Sequence, residues 1–212
     1  MQAEIFVAVC GLFVGGLLYA ESGEHNRLRR VLKPAASVAF IGAGAAAGAL
    51  DTRFGQAILA GLVLCAFGDI LLIPKSAKTF LAGMAAFAAG HAAYIAAFMI
   101  GGTLFGVSAG AAAAGGVALS VSLLVMLWRD LGAFRGPVIG YSVIISLMLT
   151  ASAAHWAASP SIQNLYLVLA ASAFAVSDIS VALDRFKGAD FSNRLWGLPL
   201  YYAAQCLFAV NV

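Results

Sequence analysis

Eleven of the twelve Lys and Arg residues in this chain fall in every second gap between long apolar runs. The runs lie at about 3–20, 34–50, 56–73, 79–100, 104–127, 137–157, 162–183 and 195–212. The first gap holds Arg27, Arg29, Arg30 and Lys33, and the third holds Lys75 and Lys78. The fifth holds Arg129 and Arg135, and the seventh Arg185, Lys187 and Arg194; Arg53 alone falls elsewhere. About 20 predominantly apolar residues cross a bilayer as a helix, and basic loop residues stay on the cytoplasmic side. The alternation therefore reads as eight transmembrane helices in one domain, residues 1–212. Odd-numbered loops face the cytoplasm, and both termini lie on the non-cytoplasmic side of the cell (inner) membrane. A helix missed or invented would break the alternation at that point.

The expected fold class is thus all-α, a polytopic integral membrane bundle. Composition agrees: 10% of residues are charged and mean hydropathy is +0.97, against about 25% charged residues in soluble domains. Such a chain has too little polar surface to face water and takes membrane lipid as its solvent. No basic stripe interleaved with aromatics is present, so nucleic acid is not an expected partner. Cys10, Cys65 and Cys206 are far apart inside apolar runs and read as packing residues. Without a C-x-x-C or a His/Cys cluster, no metal or cofactor is expected. The first run begins Met1-Gln2-Ala3-Glu4 with no positive n-region, and reads as a retained helix.

Finer signals refine the layout. Trp128, Trp156 and Trp196 fall at segment ends, where amphipathic rings settle at the interface. Pro34, Pro137 and Pro160 sit at or just before expected helix starts. Gly11/Gly15, Gly44/Gly48 and Gly106/Gly110 have the small-xxx-small spacing that allows close helix approach. A faint internal repeat relates Ala66-Phe67-Gly68-Asp69-Ile70 on the third span to Phe174-Ala175-Val176-Ser177-Asp178-Ile179 on the seventh. With Pro34 and Pro137 opening the second and sixth spans, it would make two parallel four-helix units about an axis along the membrane normal.

An ionisable side chain inside a span costs roughly 2.5–3.5 kcal/mol on insertion scales, so those present need a reason. Seven of the nine acids lie in loops, at helix ends or at the terminus. Asp69 and Asp178 do not. Counted from their span ends, both lie roughly 6–8 Å inside the cytoplasmic edge. Two carboxyls at one depth on packed helices resist ionising together. One protonated and one ionised member would suit acid/base work through a cationic transition state. Ser177 beside Asp178 makes that stretch the more polar, which favours Asp69 as the acid. His91 shares a helix face with Phe80, Phe87, Tyr94 and Phe98, while His155 beside Trp156 reads as interfacial. Tyr141, Tyr201, Tyr202 and Gln205 put further polar groups within spans.

From residues alone three readings stay open: catalysis, a proton-coupled or small-solute transporter using the same aspartates, and polar glue between helices. No G-x-S-x-G elbow or H-E-x-x-H is present, and no matched pair of broken helices favours a transporter.

Together these residues resemble the YhhN-like family, the membrane lysoplasmalogenases. The matching elements are Lys33-Pro34, Gly68-Asp69-Ile70-Leu71-Leu72, the Phe80/Gly83/Phe87/His91/Tyr94/Phe98 pattern, Tyr141 and Met148, Ser177-Asp178, and Tyr201-Tyr202-Ala203-Ala204-Gln205. Each is weak alone, but their order and spacing span most of the chain; the fifth span adds nothing. The resemblance implies an eight-helix enzyme that hydrolyses the vinyl ether bond of a lysophospholipid, a lysoplasmalogen. Products would be a fatty aldehyde and glycerophosphoethanolamine or glycerophosphocholine, without a metal or a serine nucleophile. Asp69 and Asp178 would be catalytic. His91, Tyr94, Tyr141, Ser177, Tyr201, Tyr202 and Gln205 would line the substrate pocket, and Lys75, Lys78 and Arg194 would meet the lipid phosphate.

Overall fold

The runs of apolar sequence fold into helices because a chain surrounded by lipid must satisfy its backbone internally. The computed structural model describes residues 2–74, 76–100 and 107–212. In order these form α1 (Gln2–Ser22), α2 (Asn26–Ala46), α3 (Arg53–Leu71), α4 (Ala77–Ile100), α5 (Val107–Leu127), α6 (Arg135–Ala158), α7 (Ile162–Phe186) and α8 (Phe191–Val210). A short 3-10 turn, Gly132–Phe134, leads into α6. No strand occurs among the described residues. All eight expected helices are present, and the protein is a polytopic helical membrane protein. Among the described residues α1, α3, α4, α6 with its leading turn, and α7 are long and apolar enough to cross a bilayer by length and composition. The expected positions Lys75 and Gly106 lie outside the described residues.

Local chemistry sets the helix ends. Thr52 accepts from the Gly55 N–H at 2.8 Å, and Ser161 from the Asn164 N–H at 3.1 Å, so each satisfies a donor that an N-terminus leaves orphaned. Asp190 caps α8 by accepting from the Ser192 N–H at 2.8 Å, which holds its carboxyl below the usual carboxylate range. Gly48 (φ 91°) and Gly188 (φ 128°) end α2 and α7 in backbone that side chains resist.

The second helix departs from expectation. It begins at Asn26, not at Pro34, so Pro34 lies inside it. Arg27, Arg29, Arg30 and Lys33 are therefore helical residues, not loop residues. Pro137 and Pro160 do sit near the starts of α6 and α7.

Helices pack most closely in consecutive pairs, α1 with α2, α3 with α4, α5 with α6 and α7 with α8. The halves join where α4 lies against α6 and α8 against α2, and α8 also touches α1 and α3. A two-fold axis that exchanges α1–α4 with α5–α8 exchanges the α4/α6 and α8/α2 contacts, whereas the α1/α8 contact has no comparable α5/α4 counterpart among the described residues. The aromatic face of α4 is buried, including Phe80, Phe87, His91, Tyr94 and Phe98. All three cysteines are buried and free. His155 is buried and stacked on Phe54 at 5.4 Å, not interfacial.

Most glycines that permit close approach among the described residues are not those expected. Nothing lies within 4 Å of a Cβ built at Gly11, Gly15 or Gly110, and Gly48 lies past its helix. Of the expected pairs only Gly44 faces a neighbour, Leu62 and Ala209. A Cβ at Gly61 would instead strike the Tyr94 ring, one at Gly68 the Phe87 ring, and one at Gly197 the Ser180 side chain. These seat α3 on α4 and α8 on α7. Spacing alone does not reveal which side of a helix faces a neighbour. Gly61→Ala should lower stability by about 1–3 kcal/mol through overpacking, while Gly11→Ala should not, as thermal unfolding in detergent would show.

Candidate active site

Asp69 lies two residues before the end of α3 and is 2% exposed. Three side chains converge on it. Lys33 Nζ is 3.3 Å from Oδ1. Ser37 Oγ and the Tyr201 hydroxyl donate to Oδ2 at 2.8 and 2.7 Å. Lys33 and Ser37 are four apart on α2 and so share a face; Tyr201 reaches in from α8. A buried carboxylate is tolerable only when paired and hydrogen-bonded, and Asp69 has both.

Asp178 on α7 is held by the equivalent helices of the other half. The Tyr141 hydroxyl, from α6, donates to its Oδ2 at 3.0 Å. His91 Nε2, from α4, is 3.4 Å from the same oxygen and 3.3 Å from the Tyr141 hydroxyl. The α2/α8 pair around Asp69 thus corresponds to the α6/α4 pair around Asp178. No Lys or Arg pairs with Asp178 among the described residues, and its side chain is more exposed, at 14%. The two clusters meet at Phe174, one turn before Asp178. Its ring contacts His91 (4.4 Å between centroids) and Tyr201 (5.2 Å).

Both carboxyls line one cavity of about 100 Å³. Polar side chains (Lys33, Asp69, Tyr141, Asp178, Tyr201) and apolar ones, including Phe80, Phe87 and Ile145, line it together. The count from helix ends put the carboxyls at one depth; α7 in fact runs eight residues past Asp178, while α3 stops two past Asp69. A second cavity, about 240 Å³, adjoins the first and shares Lys33, Leu72, Phe80, Ser180, Val181 and Leu198 with it.

The other expected residues divide. Tyr141, Ser177 and Tyr201 line the first cavity, and His91 touches Asp178 from behind it. Ser177 Oγ donates to the Phe174 carbonyl of its own helix at 2.7 Å, which removes the ground for calling Asp178 the more polar site. Tyr94, Tyr202 and Gln205 line neither cavity. The Tyr94 hydroxyl donates to Gln205 Oε1 at 2.6 Å and its ring stacks on Phe208. Tyr202 donates to the Lys33 carbonyl at 3.2 Å. These three hold helices together. Arg194 lines the second cavity, whereas Lys78 is exposed and lines neither. The sequence reading gives neither Lys33 nor Ser37 a place in the site: Lys33 precedes the run that starts at Pro34 and reads as a loop cation, and Ser37 is one small polar residue within that run. The Lys33-Pro34 pair was the signal available. No group of three His, Cys, Asp or Glu side chains among the described residues is arranged to hold a metal ion.

A family model described as the YhhN family matches residues 28–212. Lysoplasmalogenase TMEM86A from Bos taurus is 34% identical over 164 residues, 73% of this chain and 64% of that protein. The chain therefore matches a little under two thirds of the length of that curated relative. No solved structure matches.

Tyr94→Phe leaves Gln205 Oε1 buried without its donor, in a residue whose Nε2 already has no hydrogen-bond partner. The substitution should cost about 1–3 kcal/mol of stability, read as a lowered unfolding temperature.

Proposed function

The chain belongs to the YhhN family, and on that premise we propose that it is a membrane enzyme that hydrolyses the vinyl ether bond of lysoplasmalogens. The single observation that carries the mechanism is that two carboxyls with unlike partners line one apolar cavity, Asp69 beside Lys33 and Asp178 beside Tyr141 and His91. The topology read from the basic loops, with the carboxyls toward the cytoplasmic side, belongs to the same proposal.

Vinyl ether hydrolysis starts with a proton delivered to the alkenyl carbon remote from oxygen. The double-bond electrons form the new C–H bond, and the carbon bonded to oxygen becomes an oxocarbenium ion. Water adds to that carbon and loses a proton to a base. The resulting hemiacetal breaks its C–O bond, the glycerol oxygen takes the proton, and a fatty aldehyde leaves. The sum consumes one water and needs neither oxidant nor metal.

Asp178 is the proton donor in this scheme. Lacking a cationic partner, it needs no counter-charge when neutral, and Tyr141 and His91 are placed to pass it a replacement proton. Asp69 is the ionised member. The Lys33 ammonium and two hydroxyl donors sustain its charge, so that it stabilises the cation and accepts the proton from water. This reverses the lean that the sequence suggested, because Lys33 supplies a counter-charge to one carboxyl only. The apolar walls accept the alkenyl chain and keep bulk water from the cation.

Aldehyde release from a lysoplasmalogen by purified protein in detergent tests the proposal. Asp178→Asn and Asp69→Asn should each lower kcat by about 10²–10⁴-fold, the range of a general acid or base. Lys33→Met should lower it by about tenfold or more, because a buried carboxylate left unpaired is destabilised. Folded wild-type protein that releases no aldehyde would rule out this substrate.

A further inference from the structure

The second cavity differs in character from the first. Glu21, Arg29, Asp184, Arg185 and Arg194 line it, beside the shared Lys33. Its two carboxylates are already committed. Glu21 Oε2 takes Arg194 at 3.0 Å and lies 3.7 Å from Arg29, and Asp184 Oδ2 takes Arg194 Nε at 2.6 Å. Arg194 thus spends its charge tying α1, α7 and α8 together.

Two guanidiniums keep donors in hand. Arg29 donates one N–H to the Ile73 carbonyl at 3.1 Å, while its buried Nε has no hydrogen-bond partner. A buried donor without a partner is costly and marks a place where an acceptor belongs. Arg185 lies over the Phe80 and Phe134 rings, at 4.7 and 5.4 Å from their centroids. It pairs with no carboxylate among the described residues. A guanidinium resting on aromatic faces is fixed in place with its edge donors free. Planar guanidiniums that are held in place with donors to spare are suited to phosphate, which they bind through paired hydrogen bonds.

We infer that this vestibule is the subsite for the phosphate of a lysophospholipid headgroup, with Arg29 and Arg185 as its ligands and Arg194 as a positioning residue. The identity of the lipid rests on the hydrolase reading; the phosphate chemistry does not. A phosphate there lies three glycerol carbons from the ether oxygen, and the shared walls Lys33, Leu72 and Leu198 lead to Asp69 and Asp178. Phe80 belongs to both cavities: one part of its ring carries Arg185, and the same side chain lines the chain-binding space. Read from the sequence, the headgroup role falls to Lys75, Lys78 and Arg194, of which Lys75 lies outside the described residues; it passes instead to two residues read there as ordinary loop cations.

The test compares a 1-alkenyl-glycerophosphoethanolamine with the phosphate-free 1-alkenylglycerol, using the full chain in detergent. Wild type should prefer the phosphate-bearing lipid in kcat/KM. Arg185→Gln and Arg29→Gln should each shrink that preference by about tenfold or more, the factor expected for a lost charge-assisted hydrogen bond. The loss should appear mainly in KM, and Arg185→Lys should keep more of the preference. Equal use of both lipids by wild type, or equal losses on both in the variants, would overturn the assignment. A binding arm separates the two readings. If neither alkenyl lipid is turned over, but an acyl lysophosphatidylethanolamine raises the unfolding temperature of wild type and not of Arg185→Gln, the hydrolase reading falls and the subsite stands. Stabilisation by inorganic phosphate as strong as by the lysophospholipid would make this a free-phosphate site and overturn the headgroup assignment. No shift with any phosphate compound would overturn it outright.

Discussion

A carboxylate within a lipid-facing bundle survives as a charge only beside a counter-charge and hydrogen-bond donors, and Asp69 with Lys33 is where this protein meets that condition. The arrangement fixes three helices at once. Lys33 and Ser37 come from one turn of α2, Asp69 from α3, and Tyr201 from α8. The Lys33 backbone is tied as well, since its carbonyl accepts from Tyr202. Breaking a buried pair by removing one partner typically costs about 3–5 kcal/mol, whereas an exposed pair is worth about 1 or less. The first half of the bundle is therefore organised by its least lipid-soluble group.

The second half solves the same problem without a cation. Asp178 takes a tyrosine from the preceding helix and a histidine from the even-numbered helix across the axis, as Asp69 takes Ser37 and Tyr201. The two acids share one cavity, and their partners are unlike. In the proposed mechanism, two copies of the Asp69 environment would give two bases, and two copies of the Asp178 environment two acids. A reaction that both gives and takes a proton needs one of each. Phe174, packed between His91 and Tyr201, keeps the clusters adjacent without a polar bridge through its ring.

Much of this was legible in the sequence where energetic penalties are large. Apolar length and the alternation of basic residues located all eight helices, and the cost of intramembrane charge singled out Asp69 and Asp178. The two Asp-containing segments of the faint repeat do line one cavity. Legibility failed where a residue type has two physical uses. Lys33 has the composition of a loop cation, and only the extension of α2 back to Asn26 turns it inward. Glycine spacing marks a helix side without saying what faces it, so Gly11 and Gly15 looked like an interface while Gly61 and Gly197 were passed over. Tyr94 and Gln205 are polar and within the membrane, but they spend that polarity on each other. Arg29 and Arg185 were hidden by the same rule that revealed the topology, since every basic residue at that end of the bundle satisfies it.

The proposed mechanism gives the two aspartates unlike charge states, and infrared spectroscopy reads such states directly. A protonated carboxyl shows a C=O stretching band that a carboxylate lacks. At neutral pH the band of a buried protonated acid should be present in wild type, lost in Asp178→Asn and retained in Asp69→Asn. Loss of the band in Asp69→Asn with its retention in Asp178→Asn would assign the proton to the wrong carboxyl and contradict the division of roles proposed here.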